Sequence, residues 1–172
     1  MNEDENRNRI VRYWWEKAVD SLDAATRETD AGQLNFAMNR LYYSVFYAVS
    51  AALLDRRISF KKHSGVRAAF HREFIKSGLL EVEWAGFYDR LFEDRQEGDY
   101  IALVTFDLEY VRAQLARCFE FQTDSAYCYL HFYRCCIRVF KRLTADSFGL
   151  MNLCNSVSET AISKNTHGNR SF

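Results

Sequence analysis

The chain has 172 residues, 23 basic and 23 acidic groups, 48% hydrophobic residues and 16% aromatic residues. That apolar content supports a packed core and excludes wholesale disorder. The absence of proline and the presence of only seven glycines disfavour a turn-rich β-sandwich and point to long helices. A net charge of zero leaves no global basic field to attract nucleic acid, although a local patch can still do so.

The predicted elements follow in chain order. The first helix runs from about Asn6 to Glu28, with Ile10, Trp14, Ala18, Leu22 and Ala25 at three- and four-residue spacing. Ala31-Gly32 ends it, as glycine commonly does just past a helix. The second helix spans about Leu34 to Asp55. From Leu41 to Leu54 it carries no charge and is apolar nearly all round, which places it in the middle of a bundle. A loop from Arg56 to Lys62 leads to a third helix that starts near Ser64. Val66, Phe70, Phe74 and Ile75 form its apolar stripe, and it stops at Ser77-Gly78. A further helical segment runs from Leu80 to Phe92 and breaks at Arg95 to Tyr100, with Gly98 inside the break. The last core helix begins near Thr105, read as its N-cap, and continues through Val111, Leu115 and Phe119. Short connections imply antiparallel neighbours. The expected fold is all-α, an up-and-down bundle of four to five helices with an extra C-terminal helix or a disordered tail.

A seam in composition divides the chain near Gln122. All five cysteines (Cys118, Cys128, Cys135, Cys136 and Cys154) lie beyond Arg117, whereas all three tryptophans lie before it. Residues 1–121 read as the helical bundle. Residues 122–172 read as a divergent appendage, native or out of frame, in which Ala126 to Leu143 could form an amphipathic helix before a tail rich in Ser, Asn and Thr. No apolar run reaches the roughly 18 residues needed to cross a bilayer. The polar N-terminus has no signal-peptide core, so the expected location is cytoplasmic. The cysteines show no CxxC spacing and read as free structural thiols, with no metal or cofactor implied.

Three polar groups stand out. Asn39 and Arg40 open the apolar stretch of the second helix, with Tyr42, Tyr43 and Tyr47 on adjacent faces. A buried amide or guanidinium is costly unless it is bonded. These groups therefore read as register-setting bonds, as simple surface positions at the helix start, or as a polar pocket inside the bundle. In the second group, Arg95 and Asp99 stand four residues apart. They could pair across a turn, or leave Arg95 free to grip a phosphate, with Gly98 bending the backbone inward. The third group, Lys61-Lys62-His63 ahead of the third helix, reads as a solvated basic loop with His63 as a cap, or as an anion site. His71, four residues after Arg67, reads as surface.

Taken together, Asn39-Arg-Leu-Tyr42-Tyr43-Ser-Val-Phe46, then Lys62-His63-Ser-Gly-Val with Phe70 and Phe74, then Arg95-Gln-Glu-Gly-Asp99-Tyr100, resemble the HEPN domain family. The likeness is to its small stand-alone prokaryotic branch and covers about Arg9 to Phe121. The resemblance implies a bundle of four to five helices, a homodimer, and pairing with a minimal nucleotidyltransferase in toxin–antitoxin modules. It also implies that active relatives are metal-independent ribonucleases, using an arginine followed after four to six residues by a histidine. Arg95 matches the arginine, but positions 100 to 102 hold Tyr100, Ile101 and Ala102. Tyrosine titrates near 10 and cannot shuttle protons at neutral pH.

Three functions compete. The first is a binding module that works with a nucleotidyltransferase and holds nucleotide or RNA phosphate, with Asn39, Arg40, Tyr43, Lys62 and His63 as binding residues. The second is an RNA endonuclease toxin using Arg95 with Asp99, Tyr100 or His63 as catalytic groups. The third is an inactive or structural helical scaffold.

Overall fold

The computed structural model describes residues 2–60, 62–100 and 104–129, with the backbone alone for residues 100 and 124–129. Five α-helices and no strand occur among the described residues: α1 (Glu3–Asp30), α2 (Leu34–Asp55), α3 (His63–Phe70), α4 (Glu83–Tyr100) and α5 (Leu108–Tyr129). The all-α bundle expected from the sequence is the fold observed. No described helix is long and apolar enough to cross a membrane.

Helix α1 starts three residues earlier than its periodicity suggests because Asn2 and Glu5 form a reciprocal capping box. Its buried face is set by Val11, Ala18, Leu22 and Ala25, while Ile10 is 37% exposed instead of joining the stripe. Gly32, at φ +73°, ends the helix in a left-handed conformation that costs glycine nothing. Helix α2 has the expected boundaries and packs against α1, α3, α4 and α5. That central position explains its sequence. With neighbours on every side, it buries Met38, Leu41, Tyr42, Val45, Val49 and Leu53 almost completely, and a charge among them would be left unsolvated.

Helix α3 passes into a single π-helical turn, His71–Ile75, before Gly78 at φ +73° terminates the segment. Two expectations are corrected beyond it. Arg95 to Tyr100 is not a break, because α4 continues through it to Tyr100. A helical glycine costs only about 1 kcal/mol relative to alanine, and here it makes room for packing. A Cβ added at Gly98 would stand 3.0 Å from Cε2 of Phe106. The cap of α5 is Asp107, whose Oδ1 accepts from the backbone N–H groups of Glu109 and Tyr110 at 2.8 and 3.2 Å. Thr105 lies outside the helix and is exposed.

Side-chain bonds tie the helices at fixed places. Asn35 donates to the Val104 carbonyl at 2.8 Å, fixing the start of α2 beside the connection after α4. Tyr110 on α5 donates to Asp94 on α4 at 2.6 Å. Gln122, expected to open the appendage, is instead buried and donates to the Ala18 carbonyl at 3.1 Å. Cys118 is a free thiol in the core, and burial pushes its pKa up to about 12, so it is inert at neutral pH. The expected C-terminal helix up to Leu143 and the tail beyond it lie outside the described residues, apart from the helical backbone that α5 carries to Tyr129.

Candidate functional site

Asn39, Tyr42, Tyr43 and Phe46 recur at spacings of three and four on α2, which puts them on adjoining strips of one helix face. Helix α4 crosses that face with Arg95 and Asp99, one helical turn apart. Nδ2 of Asn39 stands 3.1 Å from each carboxylate oxygen of Asp99. Nη2 of Arg95 forms an ion pair with Oδ2 of Asp99 at 3.2 Å. The guanidinium lies over the rings of Tyr42 and Tyr43, 5.5 and 5.7 Å from their centroids, where the ring quadrupole favours a cation. The Arg95 side chain is only 16% exposed, and its Nε has no hydrogen-bond partner among the described residues.

The first residue of α3 completes the group. Nδ1 of His63 is 3.0 Å from the Tyr42 hydroxyl, and the imidazole stacks on Phe46 with ring centroids 4.2 Å apart. Burial, aided by the nearby positive charge of Arg95, holds the His63 pKa below its ordinary value. Burial likewise raises Tyr42 to about 12. Imidazole and phenol are therefore both neutral at pH 7 and share one hydrogen between them. Nε2 of His63 makes no hydrogen bond among the described residues, so it is the nitrogen left to exchange a proton.

Of the residues singled out in the sequence, Asn39, Tyr43, His63, Arg95 and Asp99 meet here. Arg40 does not. It follows Asn39 around α2, is exposed, and makes no ion pair with the group. Lys62 is exposed at the N-cap of α3 and supplies no capping bond. The side chain of Tyr100 lies outside the described residues. His71 is half-buried rather than a plain surface residue, with Nε2 3.2 Å from Oδ1 of Asp89. Sequence reasoning missed Tyr42 as the partner of His63 and Phe46 as its stacking floor. Their i, i+4 spacing on α2 carried that signal, but an aromatic pair in an apolar run reads as core.

A buried, planar guanidinium can stabilise negative charge on a phosphate, and a neutral imidazole beside it can accept or return a proton. The site differs from a simple anion cradle in one respect. Asp99 already compensates Arg95, so any incoming anion meets a carboxylate. Among the described residues, no group of three or more His, Cys, Asp or Glu side chains could hold a metal ion.

The chain matches the HEPN domain model over residues 11–123. It is 48% identical over 112 residues to a UPF0332 protein of Thermotoga maritima, covering 65% of this chain and 83% of that relative. It is also similar to two proteins of Methanocaldococcus jannaschii. One, named "Putative toxin MJ0142", is 42% identical over 94 residues, covering 55% of this chain and 64% of that protein. The other, named "Putative toxin MJ0605", is 29% identical over 85 residues, covering 49% of this chain and 63% of that protein. All the residues that assemble the Arg95 cluster fall inside the matched region, and on the extent of that match the chain belongs to the HEPN domain family.

Proposed function

We propose that this chain is a toxin-type HEPN protein that binds a phosphate-bearing ligand, nucleotide or RNA, at the Arg95 cluster and works with a minimal nucleotidyltransferase partner. One observation carries the reading. A guanidinium from α4 and an imidazole from α3 converge on the Tyr42–Tyr43 rings, and a carboxamide from α2 joins the guanidinium through Asp99, although His63 and Arg95 stand 32 positions apart in sequence. Packing alone does not require three different polar groups in one place, and their desolvation opposes it. The toxin names of the archaeal relatives support the module, and the family resemblance supports the nucleotidyltransferase, the homodimer and the cytoplasmic setting. Thermal unfolding with and without nucleotide tests the reading, because a ligand of the folded state raises apparent stability by mass action. The reading expects a rise that Arg95→Ala abolishes. Co-expression with a small nucleotidyltransferase tests the partner by co-purification.

A second reading, a metal-independent ribonuclease, has a specific observation behind it. Nε2 of His63, near Arg95, makes no hydrogen bond among the described residues, although His63 stands on another helix from the position the family motif would use. RNA cleavage in EDTA that is lost in both Arg95→Ala and His63→Ala would establish this activity. Intact RNA would leave the binding module.

A further inference from the structure

The charge inventory of the Arg95 cluster sets which phosphate it accepts. This inference rests on reading the cluster as a phosphate site. The groups facing the guanidinium are Asp99 on its own helix, Asn39, Tyr42 and Tyr43 from α2, and His63 from α3. Arg95 contributes one positive charge and Asp99 one negative charge, while the phenol and imidazole are uncharged at pH 7. The next cation, Arg67, lies over the Phe92 ring and is paired with Asp89 at 3.6 Å. Lys62 is exposed at the end of α3. Among the described residues, the groups around Arg95 therefore sum close to neutral before a ligand arrives. The carboxylate is also held in place, since both oxygens of Asp99 lie 3.1 Å from the Asn39 amide.

A terminal phosphomonoester carries close to two negative charges above its second pKa of about 6, whereas a phosphodiester carries one. Attraction to Arg95 and repulsion from Asp99 both double with the second charge and largely cancel, so the ion pair gives that charge little net attraction. The monoester must still shed water from the second charge among half-buried groups, a cost that Asp99 leaves uncompensated and that amounts to about tenfold or more in affinity. We infer that Asp99 is a charge selector that makes the site prefer a singly charged phosphodiester to a doubly charged phosphomonoester. The Asn39 amide positions that selector.

The test uses two probes that differ by one methyl group, adenosine 5′-monophosphate and its methyl ester, titrated at pH 8 against the intact chain. The wild type is expected to bind the methyl ester at least about tenfold more tightly than the monophosphate. In Asp99→Asn, which keeps the shape and removes the charge, the gap is expected to shrink to about threefold or less through tighter monophosphate binding. A measurement on the wild type alone guards against a variant that folds poorly. Lowering the pH from 8 to 5 protonates the monophosphate but not the ester, so the ratio of the two affinities should move towards one. Protonation of His63 acts on both probes.

Equal binding of the two probes by wild type, or an unchanged ratio in Asp99→Asn, overturns the selector. If Arg95→Ala still weakens both probes, the phosphate site itself survives that result. No binding of either probe by wild type overturns the phosphate site and the selector together.

Discussion

Two clusters of arginine, histidine and aspartate lie on α3 and α4, and they are wired differently. In the first, Asp99 pairs with Arg95 while His63 turns to a phenol and stacks on Phe46. In the second, a single carboxylate oxygen, Oδ1 of Asp89, meets both His71 at 3.2 Å and Arg67 at 3.6 Å. The second cluster joins α3 and its π turn to α4 with side chains each about a third exposed. Its histidine spends its Nε2 on that contact, and its arginine lies over Phe92. Such a partly exposed network contributes little net stability. The first cluster has a mostly buried guanidinium, and one imidazole nitrogen without a hydrogen bond among the described residues. The same residue types thus make a three-way clamp in one place and a separate ion pair and imidazole–phenol pair in the other. The difference lies in whether the histidine shares the arginine's carboxylate.

The largest expected effect separates the two directly. Arg95→Ala should weaken phosphate binding by about thirtyfold, the worth of a charge-assisted contact, while Arg67→Ala should leave it within about threefold. Titration of both variants with one nucleotide probe checks this. Next in size, Tyr42→Phe strips His63 of its partner and should cost about 1 kcal/mol in chemical denaturation. Removing His71 from its more exposed network should cost less than that.

A smaller effect concerns pH. The folded pKa of His63 lies below its ordinary value of 6.5, so the unfolded chain takes up the proton first on acidification. Stability from this group should fall as pH drops from 6.5 through the folded value and should be constant above 6.5. His63→Gln should make that acid-side decline shallower, which unfolding curves across the range would show. The smallest effect is expected from Gly98→Ala. Better helix propensity is worth up to about 1 kcal/mol, and displacing the half-buried Phe106 ring offsets it, so the net change should stay within about 0.5 kcal/mol.

Much of the bundle was legible because helix periodicity and glycine terminators are local signals. Gly32 and Gly78 end their segments as their positions suggest, and the uncharged run Leu41 to Leu54 identifies the central helix. The reading failed where tertiary packing overrode local chemistry. Gly98 looked like a break, yet Phe106 needs the space a side chain would fill, and the i, i+4 pair of Arg95 and Asp99 supports continued helix. Thr105 looked like a cap, but Asp107 holds the position that reaches two backbone N–H groups. In the site, Asn39, His63, Arg95 and Asp99 were identifiable as polar residues out of place. Which of them touch was not, because α2, α3 and α4 must pack before Asn39 meets Asp99 or Tyr42 meets His63. Arg40 shows the converse. It adjoins Asn39 in sequence, but the helical rotation carries it to solvent.

The central claim is that one guanidinium, and not its counterpart on the neighbouring cluster, receives phosphate. Fluorescence anisotropy with a labelled single-stranded oligoribonucleotide lacking terminal phosphates tests it on wild type, Arg95→Ala and Arg67→Ala. The account predicts near-equal binding by wild type and Arg67→Ala and a loss of about thirtyfold in Arg95→Ala. Binding by Arg95→Ala as tight as wild type would contradict it.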